Sequence, residues 1–282
     1  MVQFGDMFEK IFFPFDLSKT SENLLYAIKE LRKFGAKKLK VFYAIEYDPE
    51  ALTEAGVDIE SFLTKLKTSA STKLKNVTEK LSKYFETEYE ISTTINAVDE
   101  ILKVSASFDM IVIPSKSRTS FEFGSVAERI IKKSNVPTLI VKASPNFDRE
   151  YYEFLLSRLL DKVALINLKE IPMLPKFNNV LLVHVADVDS ILEQKLSKEE
   201  IIHPLTPITK LTEYLSEYWD KAKEDLEKVK RSLEQNGIKA EFLISLSEKK
   251  LKDHLRDRTT MIIVRKDHFS LVSDFPVILV IP

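Results

Sequence analysis

Four short runs in the first half of the chain are apolar at consecutive positions: "KIFFPFD" (10–16), "KLKVFYAIE" (38–46), "DMIVIP" (109–114) and "VPTLIVK" (136–142). Such runs read as strands buried on both faces, which occur where helices cover a parallel sheet from both sides. Helical patterns separate them. Ser18, Thr20 and Ser21 offer caps for a helix through Leu24, Leu25, Ile28 and Leu31 that stops at Gly35. A longer helix carries Ile59, Phe62, Leu63, Leu66, Ala70, Leu74, Val77, Leu81 and Phe85 at mostly three- and four-residue steps. "EYEISTTI" alternates as a strand, "VDEILKVSAS" reads as a short helix, and another helix runs from Gly124-Ser125 to about Lys133. Strands alternating with helices predict an α/β fold with a mainly parallel sheet.

The pattern then returns in the same order. "DMIVIPSKS" (109–117) is echoed by "TMIIVRKDH" (260–268), "NVPTLIVKA" (135–143) by "DFPVILVIP" (274–282), and "KLKVFYAIE" by "NNVLLVHVAD" (178–187). A second long helix follows Thr206 and Pro207, carries Ile208, Leu211, Leu215, Trp219, Ala222, Leu226, Val229 and Leu233 on one face, and ends at Asn236-Gly237. Trp219 is expected in the core. This ordered repetition reads as a tandem duplication. Two elements shrink in the second copy. "KEIPMLPKF" after "KVALINL" (162–168) holds two prolines that forbid a long helix, and "HFSLVSD" is too short for a loop plus a helix.

Composition narrows the function classes. Forty-two basic residues against 43 acidic ones give a formal net charge of −1, so nothing draws nucleic acid or an anionic membrane. With no cysteine, disulfides, thiolate catalysis and Cys-based zinc sites are excluded. The N-terminal residues lack a signal-peptide pattern and no apolar run approaches membrane-spanning length, so a soluble, cytoplasmic protein is expected. His184, His203, His254 and His268 are too dispersed for a metal set, and no Walker lysine loop, HExxH or Ser-His-Asp pattern is present.

The stretches "IFFPFDLSKTSENLLYAI", "SFDMIVIPSKSR" and "FGSVAERIIKKSNVPTLIV" resemble the universal stress protein family. The resemblance implies two tandem HUP-type domains, each a mainly parallel five-stranded sheet flanked by helices, the second one reduced. It divides the chain into a first domain over 1–144, a linker helix over 145–161 and a degenerate second domain over 162–282. It also implies that the two halves pair through their last strands, 136–142 and 275–282, and it leaves a homodimer open.

Family members that bind ATP carry a glycine-rich loop after the fourth strand. On this chain its first two glycines fall at Pro114 and Ser117, and Arg118 matches a basic residue that often follows. The last pair is Gly124 and Ser125, followed by Val126, and the loop is three residues shorter than the family's. Proline has no N–H to offer a ligand, and serine adds a side chain where glycine lets backbone and ligand touch. Asp16 matches the family's acidic residue beside the adenine, and Ala44 lies near the position whose backbone contacts that base. In the second copy Leu168 takes the place of Asp16 and no Gly-Ser pair exists, so no nucleotide is expected there.

Each residue also has a plainer reading. Asp16 at a strand end either faces a ligand crevice or caps the next helix. Gly124-Ser125 either holds an anion on free helix N–H groups or simply starts a helix. Lys116 and Arg118 either neutralise phosphate or solvate a loop. Two functions remain open: a regulatory protein binding AMP, ADP or ATP in its first domain, and a nucleotide-free scaffold or dimerisation protein. With no base or metal-binding carboxylate pair evident beside the loop, an enzyme is not expected, slow nucleotide hydrolysis aside.

Overall fold

The structure, a computed structural model, describes residues 8–116, 125–168, 176–186, 208–245, 248–256 and 258–282. In the first half, β1 (Lys10–Pro14) leads into α1 (Lys19–Ala27), which continues as a 3-10 segment over Ile28–Phe34. Gly35 ends that segment at φ 90°, a left-handed conformation that glycine adopts without strain. Then come β2 (Lys38–Glu46), α2 (Pro49–Glu54), α3 (Ile59–Leu81), β3 (Glu86–Thr94), α4 (Ala97–Ser105), β4 (Met110–Lys116), α5 (Ser125–Lys133) and β5 (Thr138–Ala143). Helix α6 (Arg149–Ser157) joins this half to β6 (Lys162–Ile166), β7 (Asn179–Val185), α7 (Ile208–Gln235), β8 (Lys239–Ser245), α8 (Glu248–Arg256), β9 (Met261–Arg265) and β10 (Val277–Ile281). A 3-10 segment, Lys266–Val272, stands where α5 stands in the first half. The repeat matches do not mark β8 or α8.

The ten strands form one sheet in the order β3-β2-β1-β4-β5-β10-β9-β6-β7-β8. Within each half every neighbouring pair is parallel. At the centre β5 and β10 run antiparallel, with Val141 opposite Val277 and Leu139 opposite Leu279. Alternation along the strands feeds two cores. Ile11, Phe13, Val112 and Leu279 join α1, α3 and α6 on one face, while Phe12, Ile111, Ile113 and Ile278 join α4, α5 and α8 on the other.

The long helices differ from their sequence pattern in one respect. Burial along α3 begins at Ala70, and Phe62 and Leu66 stay more than a third exposed. In α7 the core takes Leu226, Val229 and Leu233, while Trp219 is only half-buried, so it is not the core residue the heptad-like spacing suggests. Helix α6 is more than a connector: Tyr152 and Leu156 are buried in the same core as Val163 and Val277.

Candidate functional site

The ladder between β1 and β4 is short. Only Ile11 with Met110 and Phe12 with Ile111 are paired; continued, that register would set Pro14 and Phe15 against Ile113 and Pro114. Two prolines at this fork remove N–H groups that a longer ladder would need. Each strand keeps its outer partner, Pro14 beside Phe42 and Pro114 beside Val141. The fork is also where strand order reverses, and such a point at the carboxyl ends of parallel strands is where α/β sheets receive ligands.

A cavity of about 290 Å³ fills this fork, between the ends of β1, β2 and β4 and helices α4 and α5. It brings together Asp16, Ala44, Pro114 and Val126 of the residues singled out in the sequence. Most of its remaining wall is apolar, with Phe15, Phe42, Ile101, Ile113, Ala127 and Ile130 among the lining side chains. A larger depression of about 750 Å³ lies at the amino ends of β6, β7 and β8, the end of a parallel sheet that does not gather ligand-binding loops.

Asp16 is exposed at the cavity mouth, and its Oδ1 accepts a 3.0 Å bond from the Ser18 backbone N–H. The helix cap is Ser18, whose Oγ accepts from the Ser21 N–H at 3.1 Å. Asp16 therefore shapes the turn before α1 without capping it. Leu17 completes the turn at φ 60°, and its carbonyl accepts from Lys73 Nζ, which also lies 3.9 Å from Glu22. Lys116 is the last residue of β4, its backbone opposite Ala143. Ser125 is the first residue of α5, and Val126 lies 45% exposed at the rim. Ser117, Arg118 and Gly124 lie outside the described residues.

Ser21 was missed by the sequence reading as anything but a cap. It lines the cavity at 1% exposure, and its Oγ is a buried polar atom with no hydrogen-bond partner. An unpaired buried hydroxyl costs about 1–3 kcal/mol, so native proteins keep few of them.

At the corresponding place in the second half the ladder between β6 and β9 runs on for four pairs, from Val163 with Met261 to Ile166 with Val264. Asn167, at φ 50°, accepts from the Val185 N–H at 2.8 Å through Oδ1 and donates Nδ2 to the Val185 carbonyl at 3.3 Å. Leu168 packs into the core where the first half has Asp16. His184 Nε2 of β7 and Tyr218 Oη of α7 lie 2.6 Å apart. Among the described residues no group of three His, Asp or Glu side chains is placed to hold a metal ion, and no helix is long and apolar enough to cross a membrane.

Each half is a parallel sheet, and the first half places a mostly apolar cavity at its switch point, where sheets of this class receive small ligands. Residues 7–142 match the universal stress protein family, and the first half of the chain is a universal stress protein domain. A universal stress protein of Methanocaldococcus jannaschii is 29% identical over 155 residues, covering 48% of this chain and 96% of that protein. The crystal structure of a universal stress protein from Archaeoglobus fulgidus matches 98% of this chain and 97% of its own with a TM-score of 0.65 at 17% identity, a likeness of fold across both halves. Another universal stress protein from Archaeoglobus fulgidus, solved in complex with dAMP, is 22% identical over 48% of this chain and 99% of its own, with a TM-score of 0.35.

Proposed function

We propose that this chain is a tandem universal stress protein, cytoplasmic and regulatory, that binds an adenine nucleotide in its first half and not in its second. The observation that carries this reading is the cavity at the β1–β4 fork, which gathers Asp16, Ala44, Pro114 and Val126 at the amino end of α5. The base lies between Asp16 and the Ala44 backbone, and the phosphate meets the N–H groups at Gly124-Ser125. Lys116, Ser117 and Arg118 flank the phosphate. A volume of about 290 Å³ suits a mononucleotide, and Pro114 and the shortened loop withhold donors from outer phosphates, so AMP and ADP bind more tightly than ATP. Asn167 and Leu168 support a second half without a nucleotide. On this reading the protein acts as a sensor and not as an enzyme, slow nucleotide hydrolysis aside.

Calorimetric titration of the full chain with AMP and ATP tests this. Micromolar to submillimolar binding of AMP, weaker binding of ATP, and about tenfold loss of AMP affinity in Asp16→Asn are expected. No heat for either nucleotide up to millimolar concentration would establish a nucleotide-free scaffold instead.

A further inference from the structure

We infer that the outer edge of β3 is a self-association surface, on which a second copy of this chain pairs antiparallel about a two-fold axis at Ile91. The ten-stranded sheet ends at β3 and β8. Over its whole length β3 is paired on one side alone, to β2. Glu86 donates its N–H to the Lys37 carbonyl and Thr94 accepts from the Tyr47 N–H, so the even-numbered residues of the strand turn their backbone groups to β2. Those of Thr87, Tyr89, Ile91 and Thr93 therefore point outward, and no described residue pairs with them.

Proteins commonly protect such an edge with charge, and here the charge covers only half of it. Glu86, Glu88 and Glu90 each lie within 3.4 Å of Lys38 or Lys40. The stretch from Ile91 to Ile95 carries no charge, glycine or proline and is β-branched apart from Ser92. Seven large hydrophobic side chains are exposed among the described residues, and five gather at this corner. Tyr89 lies in the strand and Ile95, 69% exposed, just past it; Val57 precedes α3, and Phe62 and Leu66 belong to its amino half. Helix α3 crosses β3 antiparallel, with Thr87 bonded to the Thr78 carbonyl and the Tyr89 hydroxyl 3.0 Å from that of Ser71. Continued toward its amino end, α3 carries Leu66 and Phe62 toward the uncharged part of the strand. The glutamates select both partner and register. With Ile91 opposite Ile91 of a second copy, Tyr89 pairs with Thr93, Glu90 faces Ser92 and Glu88 faces Thr94, so each half of the strand is complementary to the other. An axis at Glu90 or Tyr89 sets glutamates directly opposite one another, which is destabilising, and an axis at Ser92 pairs fewer of the outward residues. The same patch serves both copies, so the contact closes at a dimer.

Size exclusion with light scattering on the full chain, at about 100 μM, is expected to give twice the monomer mass. Thr93→Pro removes one outward N–H and leaves the β2 ladder whole, while Ile95→Lys charges an exposed side chain. Each variant should run as a monomer at that concentration with the parent's circular dichroism, and should Thr93→Pro misfold, Ile95→Lys decides. Phe154→Lys, at the exposed site on α6, should dimerise as the parent does. Because the chain has no cysteine, Ile91→Cys can crosslink only to itself, and mild oxidation should yield a covalent dimer on a non-reducing gel. A monomeric parent, a dimer that survives both Thr93→Pro and Ile95→Lys, no covalent dimer from Ile91→Cys, or open-ended polymers joining β3 to β8 would each overturn the proposal.

Discussion

Asp16 and Ser21 show which parts of a site a sequence exposes at the level of single residues. Asp16 was visible because it stands where the resemblance puts an acidic residue, at the end of the first strand. What could not be seen was the division of labour, in which Ser18 caps α1 and Asp16 holds the Ser18 N–H. Ser21 was hidden by its chemistry: a serine near a helix start reads as a cap, and only its phase, three residues before Leu24 on the buried face, distinguishes it. Ionic contacts were less legible still, because they depend on elements that meet only in the fold. Glu153 of α6 is such a case. Burial pushes its carboxyl up, but hydrogen bonds from Lys29 of the first 3-10 segment, at 2.9 Å, and from Arg149 outweigh this and hold it below the ordinary carboxylate value. A folded-state value below the unfolded one contributes stability that is present above about pH 4.3 and lost as pH falls through the folded value. Glu153→Gln should therefore cost about 1 kcal/mol in urea unfolding at pH 7 and progressively less as the pH falls through the folded carboxyl's value. A cost that did not fall with pH would show that the residue acts through packing.

The elements themselves were mostly written in the period of apolar residues, because a doubly covered parallel strand has no polar face to confuse the pattern. Strand order was legible in part through the repeat. The fork at the β1–β4 boundary was not, since it depends on where a ladder stops, and that is set by prolines on two strands distant in sequence. The periodic stripes on α3 and α7 overstated burial, because a stripe reports what a helix could cover and not how much sheet lies beneath it. Helix α6 shows the reverse. Its sequence reads as a link between two sheets, yet Tyr152 is fully buried, its hydroxyl accepts from the Ser144 N–H at 3.4 Å, and burial pushes its phenol up to about 12. Neighbouring Phe154 is 60% exposed. Tyr152→Ala is expected to lower stability by about 3–5 kcal/mol and Phe154→Ala by less than about 0.5 kcal/mol, measured by denaturant unfolding. A tether without a packing role would tolerate both alike.

At the scale of the whole molecule, the central feature is the junction of β5 and β10. Each is the last strand of its half, and each would otherwise present a row of unpaired backbone groups along an apolar, β-branched edge. Their antiparallel ladder joins the two five-stranded sheets, and alternation along β10 sends Leu279 into one core and Ile278 into the other, both fully buried. The ladder is extended by Lys142, whose N–H donates to the Pro276 carbonyl. On this account the second half retains a structural task even without a ligand of its own: it covers the edge of the first. Removing residues 275–282 would strip that cover, exposing the β5 edge in the first half and the β9 edge in the second. The shortened chain is expected to self-associate through the bared edges or to precipitate, read by light scattering, and to melt well below the parent. Ile278→Asp, which leaves the backbone ladder possible while burying a charge, should lower stability by at least about 3 kcal/mol. A shortened chain that associated no further than the parent and melted with it would mean that the two strands do not meet in solution.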